Sequence, residues 1–359
     1  MSQLNANANY ISFGNPKLLW AYGNVETFVQ NGYQIIKFYY QSGSTASDNG
    51  TGSFIMPDNK EVEFLVIGGG GTGGRPGRTS GLNQVSAQYA AGAAGGGAGA
   101  LATGSFYALK GITYNVVVGK GGTRTYGPQI NPSGDPARNG APSLLNGTSA
   151  QGSISLYVPG GGAGGSCLVN TYDPATSGSI GGSGGGAGCV IVDPGPSLEL
   201  SQSGSAATGT GTAIISFASF QNAGGIASDS GLGINTFGYL GGGGGSSQVG
   251  GNASLASNIG GNGGSGSFNA ISGSGQYFAG GGAGGYLSTD PNIGYFGLAG
   301  VGGGGGATNP TTNGTLGFAL GDGVEGTGGG GAPAYNGGSG IIILKYRIGG
   351  ISLNGAGAA

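Results

Sequence analysis

Apolar residues recur at every second position in several short stretches of this chain, and no stretch of useful length carries helical periodicity. Gln34-Ile35-Ile36-Lys37-Phe38-Tyr39-Tyr40 reads as a strand. Phe54-Ile55-Met56 is a short strand closed by Pro57, and Asp58-Asn59 makes a turn. Residues 61–67 then set Val62, Phe64 and Val66 against Glu63, Leu65 and Ile67, the alternation of a half-buried strand. Further strands are expected at 114–118, 154–158 and 213–217. Ile341-Ile342-Ile343-Leu344-Lys345-Tyr346 is the strongest strand signal in the chain. Pairing it with 61–67 or with 34–40 would bring the two ends of the chain together.

Between these strands the pattern gives way to glycine. Runs rich in glycine occupy 68–74, 92–99, 119–122, 160–165, 181–188, 241–245, 260–266, 280–285, 302–306 and 328–331, with a short one at 337–340. Glycine in a helix interior costs about 1 kcal/mol per residue, which argues against α-helix throughout. A glycine run in the polyproline-II conformation has three residues per turn and no internal hydrogen bonds. Buried, each of its N–H and C=O groups needs a partner, and only neighbouring runs can supply so many. A lone run would not order, because glycine loses the most backbone entropy. Many runs packed side by side would, by the logic of a repeat whose units cannot bury themselves alone. The expected fold is therefore mostly β and irregular: about ten packed polyglycine-II helices with flanking antiparallel strands and no significant α-helix. Ala98, Ala163, Ala187 and Ala283 interrupt the runs, and alanine suits positions at the rim of such a core.

Composition separates this fold from its competitors. The chain holds 93 glycines in 359 residues, about a quarter where about 7% is usual. Collagen would need glycine at every third position, and the clusters here exclude it. Disorder normally goes with high charge and few aromatics, yet 37% of the chain is hydrophobic, 9% aromatic and only 7% charged. Net charge is −2. No Lys or Arg falls between Ala141 and Leu344, where seven acids do. Such a surface cannot neutralise phosphates, so neither nucleic acid nor an anionic membrane is expected as a partner. No window approaches 18 apolar residues, so no membrane insertion is expected. Residues 1–9 are polar and uncharged, and no secretory leader is expected there. Cys167 and Cys189 each follow a glycine run. They are either a disulfide or two buried thiols.

The chemistry of catalysis is largely missing. There is no histidine, which removes the commonest general base and metal ligand. Two cysteines cannot make a four-cysteine zinc site. Most aspartates precede Pro or Gly, as in Asp135-Pro136 and Asp322-Gly323, which marks turns. Gly69-Gly70-Gly71-Thr72-Gly73-Gly74 follows a strand but runs into Arg75-Pro76-Gly77 rather than the helix of a dinucleotide site. Gly119-Lys120-Gly121 lacks the hydroxyl residue of a P-loop. No enzyme activity, cofactor or metal is expected. Four Asn-x-Ser/Thr sequons, at Asn49, Asn146, Asn252 and Asn313, are adequately explained by composition.

The chain divides into an N-terminal arm or docking segment at 1–30, a glycine-rich domain at 31–348 and a C-terminal tail at 349–359. The first segment carries the only Trp. Trp20, Tyr22 and Phe28 are either anchors of a small strand or arm packed on the body, or docking residues for a partner. Loops rich in Tyr, Ser, Gly and Asn share the composition of antibody paratopes. Their candidate recognition residues are Tyr172, Tyr277, Phe278, Tyr286, Tyr295 and Phe296. The alternative is that these aromatics cap the ends of the glycine core and keep water off it.

Read in order, Phe54-x-x-Pro57, Val62-x-x-Leu65-Val66-Ile67-Gly68-Gly69-Gly70-Gly71, Tyr114-Asn115-Val116-Val117-Val118-Gly119-x-Gly121-Gly122, Pro142-Ser143-Leu144-Leu145, Val158-Pro159-Gly160-Gly161-Gly162-Ala163-Gly164-Gly165 and Gly338-Ser339-Gly340 before the last strand resemble the glycine-rich domain family of phage tail proteins, giant-virus proteins and some bacterial proteins. The resemblance covers about 31–346. A looser one is to the polyglycine-II adhesins at the long-tail-fibre tips of T-even-like phages, whose end loops bind the host receptor behind an N-terminal attachment domain. Here the N-terminal part is much shorter and the strands are more prominent. These resemblances imply a non-enzymatic virion structural or surface protein (fibre, spike or minor capsid component). They leave two alternatives, a receptor-binding tip adhesin and a subunit of a bacterial extracellular filament or surface layer. The implied partners are other virion or surface-assembly proteins, a homo-oligomer or oligomeric fibre, and a host-surface receptor or glycan. The implied location is the virion surface, or else the cell surface.

Overall fold

The computed structural model describes residues 20–40, 50–74, 93–123, 138–149, 152–168, 177–190, 197–198, 203–229, 238–287, 295–308 and 319–348. Among these every regular element is a strand, and no helix is present. Twelve strands build two six-stranded sheets: β1 (Trp20–Tyr22), β2 (Val25–Gln30), β3 (Tyr33–Tyr39), β4 (Thr51–Ile55), β5 (Lys60–Ile67), β6 (Leu101–Ala108), β7 (Thr113–Val117), β8 (Ser143–Ser149), β9 (Gly152–Val158), β10 (Thr208–Thr210), β11 (Ile214–Phe220) and β12 (Ile341–Arg347). The first sheet runs β1-β4-β7-β8-β9-β10 and the second β11-β6-β5-β12-β3-β2. All neighbours are antiparallel.

The alternation read in the sequence decides how the sheets meet. Val62, Phe64 and Val66 of β5 point to one face, with Ile36 and Phe38 of β3, Phe106 of β6 and Leu344 of β12. Across from them stand Phe54, Tyr114, Val116, Leu145 and Leu156 of the first sheet, so the two sheets form a sandwich around one apolar core. Phe54 stacks on Tyr114 at 5.0 Å, and Tyr114 meets Phe106 at 5.5 Å. The other residues of β5, Leu65 and Ile67, face the opposite way with Ile35, Leu101, Ile341 and Ile343. They are covered by Ile271, Phe278 and Ala279 from a later hairpin. The centre of the second sheet is thus buried on both faces. That is why β12 opens on four consecutive apolar residues rather than on an alternation.

β12 pairs with both of its expected partners at once: Ile341 opposite Ile67 of β5 and opposite Tyr39 of β3. β6 and β8 were not legible as strands. Each carries a glycine in mid-strand, at a point where another group crosses closely. A Cβ on Gly147 would meet the Tyr114 ring, and one on Gly104 would meet the Ser216 carbonyl.

Five strands continue directly into glycine runs. β5 and β7 lead into 68–74 and 119–122, β9 leads into 160–165, and β6 and β12 emerge from 93–100 and 337–340. The registers Ile67 with Leu101 and Ile67 with Ile341 put three of these exits at one end of the sandwich. Ser143, paired opposite Val158 at the exit of β9, ties in the other two: its Oγ donates to the Ile67 carbonyl at 2.7 Å and accepts from the Gly119 N–H at 2.8 Å.

Beyond that end the runs bond to one another laterally, with a repeat of three residues. From 68–74, Gly68, Gly71 and Gly74 donate to Ala100, Gly97 and Ala94; Gly69 and Thr72 donate to Ala141 and Arg138; Gly70 and Gly73 donate to Gly338 and Tyr335. Every third residue therefore addresses the same neighbour. The central run 93–100 has six such neighbours. It donates to 159–165, 241–244 and 328–331, and accepts from 68–74, 183–186 and 282–285. Residues 68–74 and 93–100 are fully buried.

Two expectations about these runs change. Ala98, Ala163, Ala187 and Ala283 are not at a rim; all four are buried, and Ala98 packs against the outer face of the second sheet. The run 302–306 opens with a turn in which Gly302 and Gly303 take positive φ. The lattice also recruits segments outside the counted glycine runs, among them 138–141, 222–225 and 295–300. There asparagine side chains stand in for backbone. Asn139 Oδ1 accepts from the Ala163 N–H at 2.9 Å while its Nδ2 donates to the Ile180 carbonyl at 2.9 Å.

Candidate recognition surface

The predicted recognition residues divide by strand parity. The hairpin Ser267–Asn269/Gln276–Phe278 lies over the second sheet. Successive side chains of a strand face opposite ways, so Phe278 enters the core at 0% exposure while Tyr277 remains 48% exposed. Tyr295 is 50% exposed, whereas its neighbour Phe296 is buried. Tyr286 is buried too, its ring edge-on to Phe296 at 5.3 Å. Phe278, Tyr286 and Phe296 therefore present almost no surface to a partner, and the recognition role expected of them is corrected to packing. Burial pushes the Tyr286 hydroxyl above its ordinary pKa, with Tyr239 and Tyr295 adding to the effect. Tyr172 lies outside the described residues.

The docking candidates belong to the sandwich. β1 pairs Trp20 with Ile55 and Tyr22 with Ser53 at the edge of the first sheet. β2 closes the edge of the second, with Phe28 half-buried against its outer apolar face and Lys37 Nζ 4.8 Å above the ring. The backbone of residues 20–30 thus supplies an edge strand to each of the two sheets. Residues 1–19 and 349–359 lie outside the described part.

Beside Tyr277 is a groove of about 580 Å³ that the sequence did not disclose. Four separate segments line it: the end of β11 with Ser219, Phe220, Gln221 and Asn222; Ser246 and Ser247 after a glycine run; Gly266, Ser267 and Phe268; and Tyr277. Three aromatic rings stand at its surface, Phe220 at 40%, Phe268 at 60% and Tyr277 at 48% exposure. Phe268 and Tyr277 meet edge to face at 5.4 Å. The polar groups between them are partly committed. Asn222 Nδ2 donates to the Gly245 carbonyl at 2.8 Å, Gln221 Oε1 accepts from Ser219 Oγ at 2.7 Å, and Ser247 Oγ donates to the Gly266 carbonyl at 2.8 Å. Among the described residues no Asp, Glu, Lys or Arg lines the groove. The residues are far apart in sequence, and Phe220 and Phe268 each look like ordinary strand residues. Only the fold brings them together.

Cys167 and Cys189 stand opposite each other in two short parallel strands. Among the described residues no three His, Cys, Asp or Glu side chains gather in a group that would hold a metal ion. No helix there is long and apolar enough to cross a membrane. A family model described as a glycine-rich domain matches residues 45–347.

The chain belongs to the glycine-rich domain family.

The matched span begins just before β4 and ends with β12, so it takes in nine of the twelve sandwich strands, all but β1–β3, and the whole described glycine lattice. It contains the groove entirely. No curated protein matches the chain in sequence.

Proposed function

We propose that this protein is a non-enzymatic structural component of a virion or comparable surface assembly, such as a fibre, spike or minor capsid protein. In this reading the glycine runs are polyglycine-II helices, and they form a rigid support that displays loops and hairpins. The three-residue repeat of lateral hydrogen bonds around 93–100 carries the proposal. A threefold extended helix addresses one neighbour with every third residue, and six neighbours around one run cross-link a body in two dimensions. Such a body can serve as a stiff support for displayed loops. The missing histidine and the scarcity of charge support the same reading.

A second reading, the receptor-binding tip adhesin, is favoured by one feature, the exposed aromatics Tyr277 and Phe268 beside a groove. In both readings the lattice is support and the surface beyond it is the contact.

Two measurements test the proposal. Antibodies raised against the chain should decorate intact particles or surface filaments in electron micrographs. Recovery of the protein only in a soluble, unassembled fraction would overturn the assembly role. Backbone chemical shifts and couplings for 94–99 and 241–245 should give φ near about −75° and ψ near about +145°. Scattered dihedrals would remove the helices from the proposal.

A further inference from the structure

We propose that the groove between β11 and the Ser267–Phe278 hairpin binds an uncharged saccharide. The inference rests on the display reading above and gives that surface a ligand class. Three features converge on it. The first is the exposed pair Phe268 and Tyr277, whose rings meet at 5.4 Å. Flat rings at a surface offer a sugar's C–H face a large contact at little entropic cost. The second is the hydrogen-bonding set left over after internal bonds are counted. Gln221 keeps its Nε2 donors, since only its Oε1 is engaged. Asn222 keeps Oδ1 as an acceptor, since its Nδ2 is held by Gly245. The Tyr277 hydroxyl both donates and accepts. Vicinal hydroxyls on a sugar need that mixture of donors and acceptors, aimed from a fixed frame.

The third feature is charge. Among the described residues no ionic side chain lines the groove, and no Lys or Arg occurs between Ala141 and Leu344. A phosphorylated, sulfated or carboxylated ligand would go unneutralised there. A lipid would require a continuous apolar surface, which the serines and amides between the rings interrupt. The frame itself is rigid. Ser246 Oγ accepts from the Ser267 N–H at 2.8 Å and donates to the Phe278 carbonyl at 3.2 Å, which locks the hairpin base to the end of the glycine run. A site fixed in advance loses little freedom on binding.

The test is titration of the full chain with a panel of neutral hexose and N-acetylhexosamine oligosaccharides, read by saturation-transfer NMR and calorimetry. At least one should bind saturably, with saturation transfer to the sugar ring protons. Tyr277→Ala and Phe268→Ala, both at exposed positions, should each weaken it by about tenfold or more. Their melting temperatures should match the parent. Tyr295→Ala, an equally exposed tyrosine outside the groove, should change nothing. The inference falls if no panel member binds, if binding survives the Tyr277/Phe268 double variant, or if the groove takes only a peptide. Particle labelling without saccharide binding overturns this inference alone. Saccharide binding by a protein found in no assembly overturns the proposed function and leaves the site.

Discussion

A single added methyl group distinguishes the two kinds of glycine in this chain. Gly243 donates to Gly282, accepts from Gly264, and lies so close to Gly96 that a Cβ would overlap that residue's carbonyl oxygen. Gly152, at the start of β9, would place a Cβ no nearer than 3.5 Å to Thr212 Oγ1. Gly243→Ala should therefore destabilise by about 1–3 kcal/mol or more, as overpacking does. Gly152→Ala should be close to neutral, within about 0.5 kcal/mol. Denaturant titration of both variants checks the contrast, and equal effects would sink the close-packing argument. Ser143 is the corresponding polar position. It is fully buried and serves the Ile67 carbonyl and the Gly119 N–H together. Ser143→Ala takes from the buried Gly119 N–H its acceptor and from the Ile67 carbonyl one of its donors. A buried N–H left without an acceptor costs roughly 1–3 kcal/mol, so the loss should exceed that of Ser→Ala at exposed Ser247 in the same titration.

At the scale of elements, the strands that were legible share one property: their side chains declare a face or a core. β5 alternates, β12 opens on four consecutive apolar residues, and β3 mixes both, and all three were placed from pattern alone. β6 and β8 hid behind Gly104 and Asn146-Gly147, which read as turn residues until Phe64 and Tyr114 are seen crossing over them. β1 and β2 lacked a strong pattern because each lies at a sheet edge. The centre of the second sheet is β12, paired on both sides. Leu344→Ala removes a fully buried side chain from the sandwich core and should cost about 2–5 kcal/mol. In a hydrogen-exchange experiment the amides of β12 should be among the slowest. If the lattice is as continuous as its bonds indicate, those of 94–100 should be as slow. Fast exchange in 94–100 beside slow exchange in β12 would show the lattice opening independently of the sandwich. Tyr277-Phe278 and Tyr295-Phe296 are adjacent in sequence, but the tyrosine of each pair stays exposed and the phenylalanine is buried, a division that only the fold makes.

For the whole molecule, buried tyrosines link stability to alkaline pH. Burial, helped by the charge of Asp58, pushes the Tyr346 hydroxyl up to about 12. Tyr39, desolvated and bonded to Glu26 at 2.8 Å, is raised further, and Tyr114 and Tyr239 are raised by burial. Below about pH 10 each of these groups is protonated folded and unfolded, and its stabilising contribution is complete. Above that the unfolded chain loses protons that the native state keeps, so stability falls, by roughly 1.4 kcal/mol per pH unit for each such tyrosine. For Tyr346 the window runs from about 10 to about 12. Thermal melts should be level from pH 7 to 9 and fall between pH 10 and 12, with the loss reduced in Tyr346→Phe. A melting temperature that holds to pH 12 would contradict the burial of these hydroxyls.

The amino-acid sequence by itself determined the materials of this fold. Period-two patterning marks the inner strands, glycine clusters disfavour helix and permit close backbone approach, and the missing histidine removes the commonest general base. These are local properties, set by side-chain alternation and by the absence of Cβ atoms. What the tertiary structure alone decided is which backbone meets which. A glycine run carries no side chains to specify a neighbour, so the six partners of 93–100 follow from where the sandwich strands release their chains and from the three-residue turn of the bonds. The groove arises the same way. Phe220, Asn222, Ser247, Phe268 and Tyr277 come from segments that share no local signal, and only the packed lattice sets them side by side.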